Sequence, residues 1–187
     1  MRRADRRGRI AGPLRQASAG PGLALAMLAA LGPLLATAAV PADGWLDPLA
    51  GQWAGRGRFN GNDAEYRFAA EPALGGRFMR LQVRYTWRSA SGAETSLHGE
   101  ALYPGQAAAP GAMTRGAWFD SEGHQYATSA YRDASGAVIV HWGEGISGRT
   151  EYRVNAAGEL EVTDSFRRGS GDWQTFSQGR LARSGGG

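Results

Sequence analysis

The sequence predicts an all-β fold, an antiparallel up-and-down barrel of about ten strands. Three observations carry that expectation. In Arg77 to Arg88, Met79, Leu81, Val83, Tyr85 and Trp87 alternate with Arg80, Gln82, Arg84, Thr86 and Arg88, the period-two pattern of a strand with one buried and one wet face. Gly, Asn, Asp, Ser and Pro recur at short intervals, and no stretch after residue 43 sustains a helical period. All six Trp, six Tyr and six Phe also fall after residue 43, which supplies an aromatic-rich core. Many short strands joined by hairpins bury one face only by closing on themselves or by stacking as two sheets.

The elements follow in order. Trp45-Leu46-Asp47-Pro48-Leu49 suits a single helical turn that plugs a barrel end. Strands are expected at Gln52–Asn60, Ala64–Ala70, Arg77–Arg88, Thr95–Tyr103, Met113–Asp120, Gln125–Arg132, Ala137–Trp142, Thr150–Asn155, Glu159–Phe166 and Trp173–Arg183. The connections carry Asn60-Gly61, Gly75-Gly76, Ser91-Gly92, Glu122-Gly123, Ser135-Gly136, Ala157-Gly158 and Gly169-Ser170-Gly171, where glycine supplies the positive φ of tight hairpins. Residues 104–112 (PGQAAAPGA) interrupt the pattern longest and read as a mobile surface loop. Residues 184–187 read as a flexible tail.

Residues 1–42 read as an export signal rather than as part of the fold. Six Arg precede an apolar run from Leu23 to Leu35, and Ala36-Thr37-Ala38 or Val40-Pro41-Ala42 offers the small residues of a cleavage site near 38 or 42. The rival is an uncleaved anchor, since residues 23–42 are long enough to span a bilayer. Cleavage predicts a single exported domain, residues 43–183, in a bacterial periplasm.

Charge and composition narrow the function classes. The first 42 residues carry six Arg and one Asp, whereas residues 43–187 carry 15 Arg against 16 acids. A body near neutrality argues against nucleic-acid binding, which needs clustered cations. With no Cys in the chain, a disulfide scaffold, a thiolate metal site and a Cys nucleophile are excluded. An outer-membrane barrel would have to place Arg80, Arg84 or Arg88 in lipid, at roughly 2–4 kcal/mol for each one near the bilayer midplane. The expected barrel is therefore soluble, with its apolar face inward.

The first strand opens with Gly51-Gln52-Trp53-Ala54-Gly55-Arg56-Gly57. With Thr86-Trp87, Leu97-His98-Gly99-Glu100 and the terminal Leu181-Ala182-Arg183, it resembles the calycin superfamily. The closest likeness is to the nitrobindin-like group and related lipocalin-like exported bacterial barrels, across nearly all of residues 45–183. The resemblance implies a fatty-acid-binding-protein-like barrel that holds a small, mostly apolar ligand in its interior. It also implies that Trp53, flanked by Gly51 and Gly55, seals one end with a last-strand cation, Arg183 or Arg180, across its ring. These residues have a structural role.

The candidate ligand-binding residues are Leu81, Val83, Tyr85, Trp87, Phe68, His98 and Glu100. His98 and Glu100 are two apart and share a strand face. Alternation places Leu97, Ala101 and Tyr103 inside and His98 outside, whereas the resemblance places the matching His beside the cavity; both orientations stay open. If they face inward, they could orient a polar group, bind a metal or act as an acid/base pair in a small enzyme.

Haem is the ligand the resemblance suggests, held by a last-strand His. The corresponding stretch here is Thr175-Phe176-Ser177-Gln178-Gly179, with no residue able to serve as an axial ligand. No cofactor is expected on that ground; a haem-binding barrel with atypical ligation, in which His98 serves by reversing the usual arrangement, is kept as an alternative. His124 and His141 read as surface or satisfied histidines. No Gly-x-Ser-x-Gly elbow or His-Glu-x-x-His pair occurs, Gly143 to Gly148 reads as a flexible connection, and no catalytic residue is assigned. A filled barrel acting as a protein-interaction module is the remaining alternative.

Overall fold

A computed structural model describes residues 44–185, apart from 90, 107, 108, 110 and 145. The export signal expected over 1–42 lies outside the described residues, as do parts of the 104–112 loop and the end of the tail.

Ten strands form one closed antiparallel barrel. They are β1 (Gly51–Phe59), β2 (Asn62–Ala73), β3 (Phe78–Arg88), β4 (Glu94–Pro104), β5 (Thr114–Asp120), β6 (Gln125–Arg132), β7 (Val138–Trp142), β8 (Ser147–Val154), β9 (Leu160–Arg167) and β10 (Gln174–Arg183). Each pairs with its sequence neighbours, and β10 closes on β1. Closure leaves no unpaired sheet edge. Gly61, Gly92, Gly123, Gly136 and Gly158 take φ of 77–86° in the hairpins, a conformation costly for other residues. Among the described residues no helix is long and apolar enough to cross a membrane.

Some boundaries differ from expectation. β2 runs on through Pro72, which faces Met79 in register, and β8 begins at Ser147 inside the glycine-rich stretch, opposite Arg167. The tail does not start at Ser184, whose N–H still donates to the Gln52 carbonyl at 2.8 Å. In each case ladder pairing overrode a local turn signal.

The strand faces separate as the alternation requires. On β3, Met79, Leu81, Val83 and Tyr85 are buried inside the barrel, while Arg84 and Arg88 are exposed outside. Arg80, also outside, is ion-paired with Glu71 of β2.

One end is closed. Asp47–Leu49 form a single 3₁₀ turn that carries Trp45, Leu46 and Leu49 into the barrel, all buried. Trp45 Nε1 donates to the Pro104 carbonyl at 3.1 Å, and its ring meets Tyr103 edge-on at 5.8 Å. Trp53 is 1% exposed, and its Nε1 donates to the Leu49 carbonyl at 2.9 Å, which ties the turn to the first strand. Arg183, not Arg180, lies 4.2 Å over the Trp53 ring and donates to the Ala50 carbonyl at 2.7 Å. Gly51 has φ +107°, and a side chain there would meet the Arg183 guanidinium. At Gly55 a Cβ would strike the backbone of Arg180 and Leu181, so this glycine permits the close approach of β1 to β10.

Candidate functional site

The other end of the barrel is hollow. A chamber of about 350 Å³ opens between the hairpins opposite the plug, within the size range of small-molecule sites. Its deeper wall comes from Leu81, Ala101, Tyr103, Thr128, Val140 and Tyr152, and its outer wall from Phe59, Trp87, Leu97, Trp118, Trp142 and Phe176.

Local sequence builds that wall. Gly99 leaves a gap on the inner face of β4 that the Trp118 ring of β5 fills, and a Cβ there would collide with it. A register shift between Thr175 and Ser177 marks a bulge in β10. Such a bulge re-aims side chains, and Phe176 sits among Phe59 (5.9 Å), Phe166 (5.9 Å) and Trp142 (6.2 Å). Phe59 also packs on Trp87 at 4.7 Å and on Tyr85 at 5.1 Å.

The polar centre of the chamber is Asp164 on β9, 5% exposed. Thr150 Oγ1 donates to Asp164 Oδ1 at 2.6 Å and itself accepts from Trp142 Nε1 at 3.0 Å. The Tyr85 hydroxyl lies 3.3 Å from Asp164 Oδ2. Ser177, the cross-strand partner of Asp164, sits 2.9 Å from the Tyr66 hydroxyl. Burial raises the Asp164 carboxyl above its ordinary value against the opposing pull of Ser177, Thr150 and Tyr85, and no cation among its neighbours offsets that burial. Burial and then the nearby Asp164 push the Tyr85 and Tyr152 phenols well above their usual range. Burial likewise lifts Tyr66 and Tyr103, each to about 12.

At the rim, Asp120 accepts from Trp118 Nε1 (3.2 Å) and from the backbone N–H groups of Glu122 and His124 (both 3.0 Å), with the His124 ring at 3.2 Å. Burial opposes ionisation, but these bonds outweigh it and hold the Asp120 carboxyl below its usual value.

The sequence-predicted residues divide into three groups. Leu81, Tyr85 and Trp87 line the chamber. Phe68 and Val83 are buried inside the barrel but do not line it; Phe68 packs on Tyr152 at 5.2 Å. His98 and Glu100 do not reach the interior: of the two orientations left open by the sequence, the structure has the outward one, so neither lines the chamber. They face Arg84 and Gln82 across the outer side of the sheet. Glu100 accepts from Gln82 Nε2 at 3.2 Å, and His98 is exposed beside Ser96. The reason is strand parity: Leu97, Gly99, Ala101 and Tyr103 take the inner row. His98 and Glu100 instead border an open groove of about 500 Å³ on the outside, with Gln52, Arg67 and Phe119. That groove is larger than the chamber, but it is more polar and more open, so it can enclose less of a ligand.

The three histidines differ in their place relative to the chamber. His141 lies on the outer face of β7, opposite Arg149, His98 is outside, and His124 is tied to Asp120 at the exposed rim. Among the described residues no group of three or more His, Asp or Glu is placed to hold a metal ion.

Sequence reasoning missed Asp164, Thr150 and Ser177. The signal was available for the first: Leu160, Val162, Asp164 and Phe166 share one alternating row, so a carboxyl stood on the apolar face of its own strand.

Fold and site together define a closed ten-stranded antiparallel barrel with an interior chamber open at one end, an architecture consistent with a calycin-like fold. No protein-family model matches the chain, and no curated protein is significantly similar to it.

Proposed function

We propose that the mature domain is an exported, soluble binding protein that holds a small, mostly apolar ligand non-covalently in the barrel chamber. The observation that carries this reading is the pairing of an aromatic-walled chamber with one buried, hydrogen-bonded carboxyl at its centre. Such sites combine apolar walls with few convergent polar groups. Arg80, Arg84 and Arg88 on the outer face support a barrel surrounded by water, and the pattern of residues 1–42 supports export to a periplasm. The likeness of the Gly51 to Gly57 string to nitrobindin-like barrels points the same way. The reading assigns a binding role without catalysis, with His98 and His141 on the outer face and His124 at the rim.

The test is native mass spectrometry and an absorption spectrum of the mature protein as isolated, followed by titration with the lipophilic fluorophore N-phenyl-1-naphthylamine. A co-purifying lipophile, or saturable uptake of one fluorophore per chain, is the expected result. Exclusion of the fluorophore with no co-purified molecule overturns the reading.

A further inference from the structure

The charged groups around the chamber are unevenly distributed. Residues 43–187 contain 15 Arg, yet among the described residues none lines the chamber. Its charged lining consists of Asp164 within and Asp120, Glu122 and the half-exposed His124 at the rim. Glu144 adds a further carboxylate near Tyr126, where Glu122 and Asp120 also act. A ligand entering therefore passes acids before it reaches a buried acid.

The hydrogen bonds inside run in one direction. Trp142 donates to Thr150, Thr150 donates to Asp164, and the Tyr85 hydroxyl approaches the second carboxylate oxygen. The Thr150, Tyr85 and Ser177 hydroxyls around Asp164 can all donate to it, the setting in which an ionised carboxyl accepts. No Arg or His among the described residues forms an ion pair with Asp164. A buried carboxylate with hydrogen bonds but no countercharge is costly, and a cation reaching it from the chamber removes that cost. The surrounding Tyr85, Tyr152, Phe59 and Phe166 rings offer faces that attract a cation as well.

Resting on the reading of the barrel as a ligand-binding protein, we infer that the chamber selects an amphiphile with a protonated amine, its ammonium head on Asp164 and its apolar body along the aromatic wall toward the mouth. The matching alternative, a neutral head group hydrogen-bonded by a protonated Asp164, is separated from it by experiment.

The experiment compares 4-phenylbutylamine, 4-phenyl-1-butanol, benzylacetone and 4-phenylbutyrate as competitors of N-phenyl-1-naphthylamine at neutral pH. These share an aryl-alkyl body of similar size and differ mainly in the head group. On the wild-type protein the amine is expected to compete at least about tenfold better than the alcohol or ketone, with the carboxylate weakest. In Asp164→Asn the amine and alcohol are expected to converge to within about twofold of each other, each measured against the fluorophore affinity that variant itself shows. Equal competition by amine and neutral analogues in the wild type overturns the amine inference and leaves the binding reading intact. Failure of the fluorophore itself to bind overturns the binding reading. The wild-type comparison needs no variant, so it stands even where Asp164→Asn fails to fold.

Discussion

The two ends of this barrel are built from similar residues to opposite effect. At the closed end Trp45, Trp53 and Tyr103 have every ring covered, and both indole N–H groups are satisfied by backbone carbonyls, those of Pro104 and Leu49. At the open end Trp87, Trp118, Trp142 and Phe176 are only partly buried and surround a space. Aromatic mass that fills one end thus forms a wall at the other. The polar groups differ in the same sense. The indoles of the closed end meet backbone carbonyls, whereas Asp164 meets side-chain hydroxyls and no cation. On the proposed reading, stability is concentrated where the barrel is filled, and recognition where it is not.

Four variants test that division, beginning with the largest effect. Trp53→Ala removes the filled end's main ring and the surface on which Arg183 stacks. It is expected to cost about 3–5 kcal/mol in urea unfolding, with fluorophore binding lost only as the fold is lost. Phe176→Ala removes a ring from the half-buried wall and is expected to cost less, about 1–2 kcal/mol. Its fluorophore affinity is expected to fall about tenfold while the protein remains folded. Equal stability losses for the two would dissolve the distinction between the ends.

Asp164→Asn is expected to stabilise the unliganded protein by on the order of 1 kcal/mol at neutral pH. The sign with pH follows from linkage. The folded-state carboxyl of Asp164 sits above its ordinary value of 3.8. The stability tied to its protonation is therefore complete below that value and is lost as pH rises through the folded one. The Tm advantage of Asp164→Asn should accordingly widen from about pH 4 to about pH 7. Asp120 acts in the opposite direction, because its lowered carboxyl contributes stability that is lost as pH falls. A Tm difference that is flat or narrows over this range would show that Asp164 is not desolvated in solution.

The smallest effect is expected from His98→Ala combined with Glu100→Gln on the outer face. Stability should change by less than about 0.5 kcal/mol, and fluorophore affinity should be unchanged in the same titration.

The fold was legible because alternation is a local signal and this chain alternates strongly. The pattern of Arg77 to Arg88 alone decides the inner and outer rows of β3, and antiparallel pairing carries that decision to β2 and β4. The site was legible only in part. On β4, parity alone placed His98 outside, in agreement with the structure; the family resemblance favoured the wrong face. Gly99 obscured the inner row there because the volume it lacks is supplied by Trp118, a long-range partner. The Phe176 and Ser177 pair was hidden by a bulge, which breaks period two where the wall turns. Asp164 was visible by parity but was passed over beside the acidic Glu159 and Glu161, whose row faces out toward Arg180.

The central claim is that the upper barrel encloses a space reached from the mouth. Ala101 stands on its wall with its small side chain inward, so Ala101→Trp places an indole in the chamber, at an overpacking cost of about 1–3 kcal/mol. The decisive measurement is the N-phenyl-1-naphthylamine titration of this variant against the wild type, with circular dichroism to verify the fold. Abolished uptake in a folded variant, against one fluorophore per chain in the wild type, is the predicted result; undiminished uptake would mean that the ligand binds elsewhere.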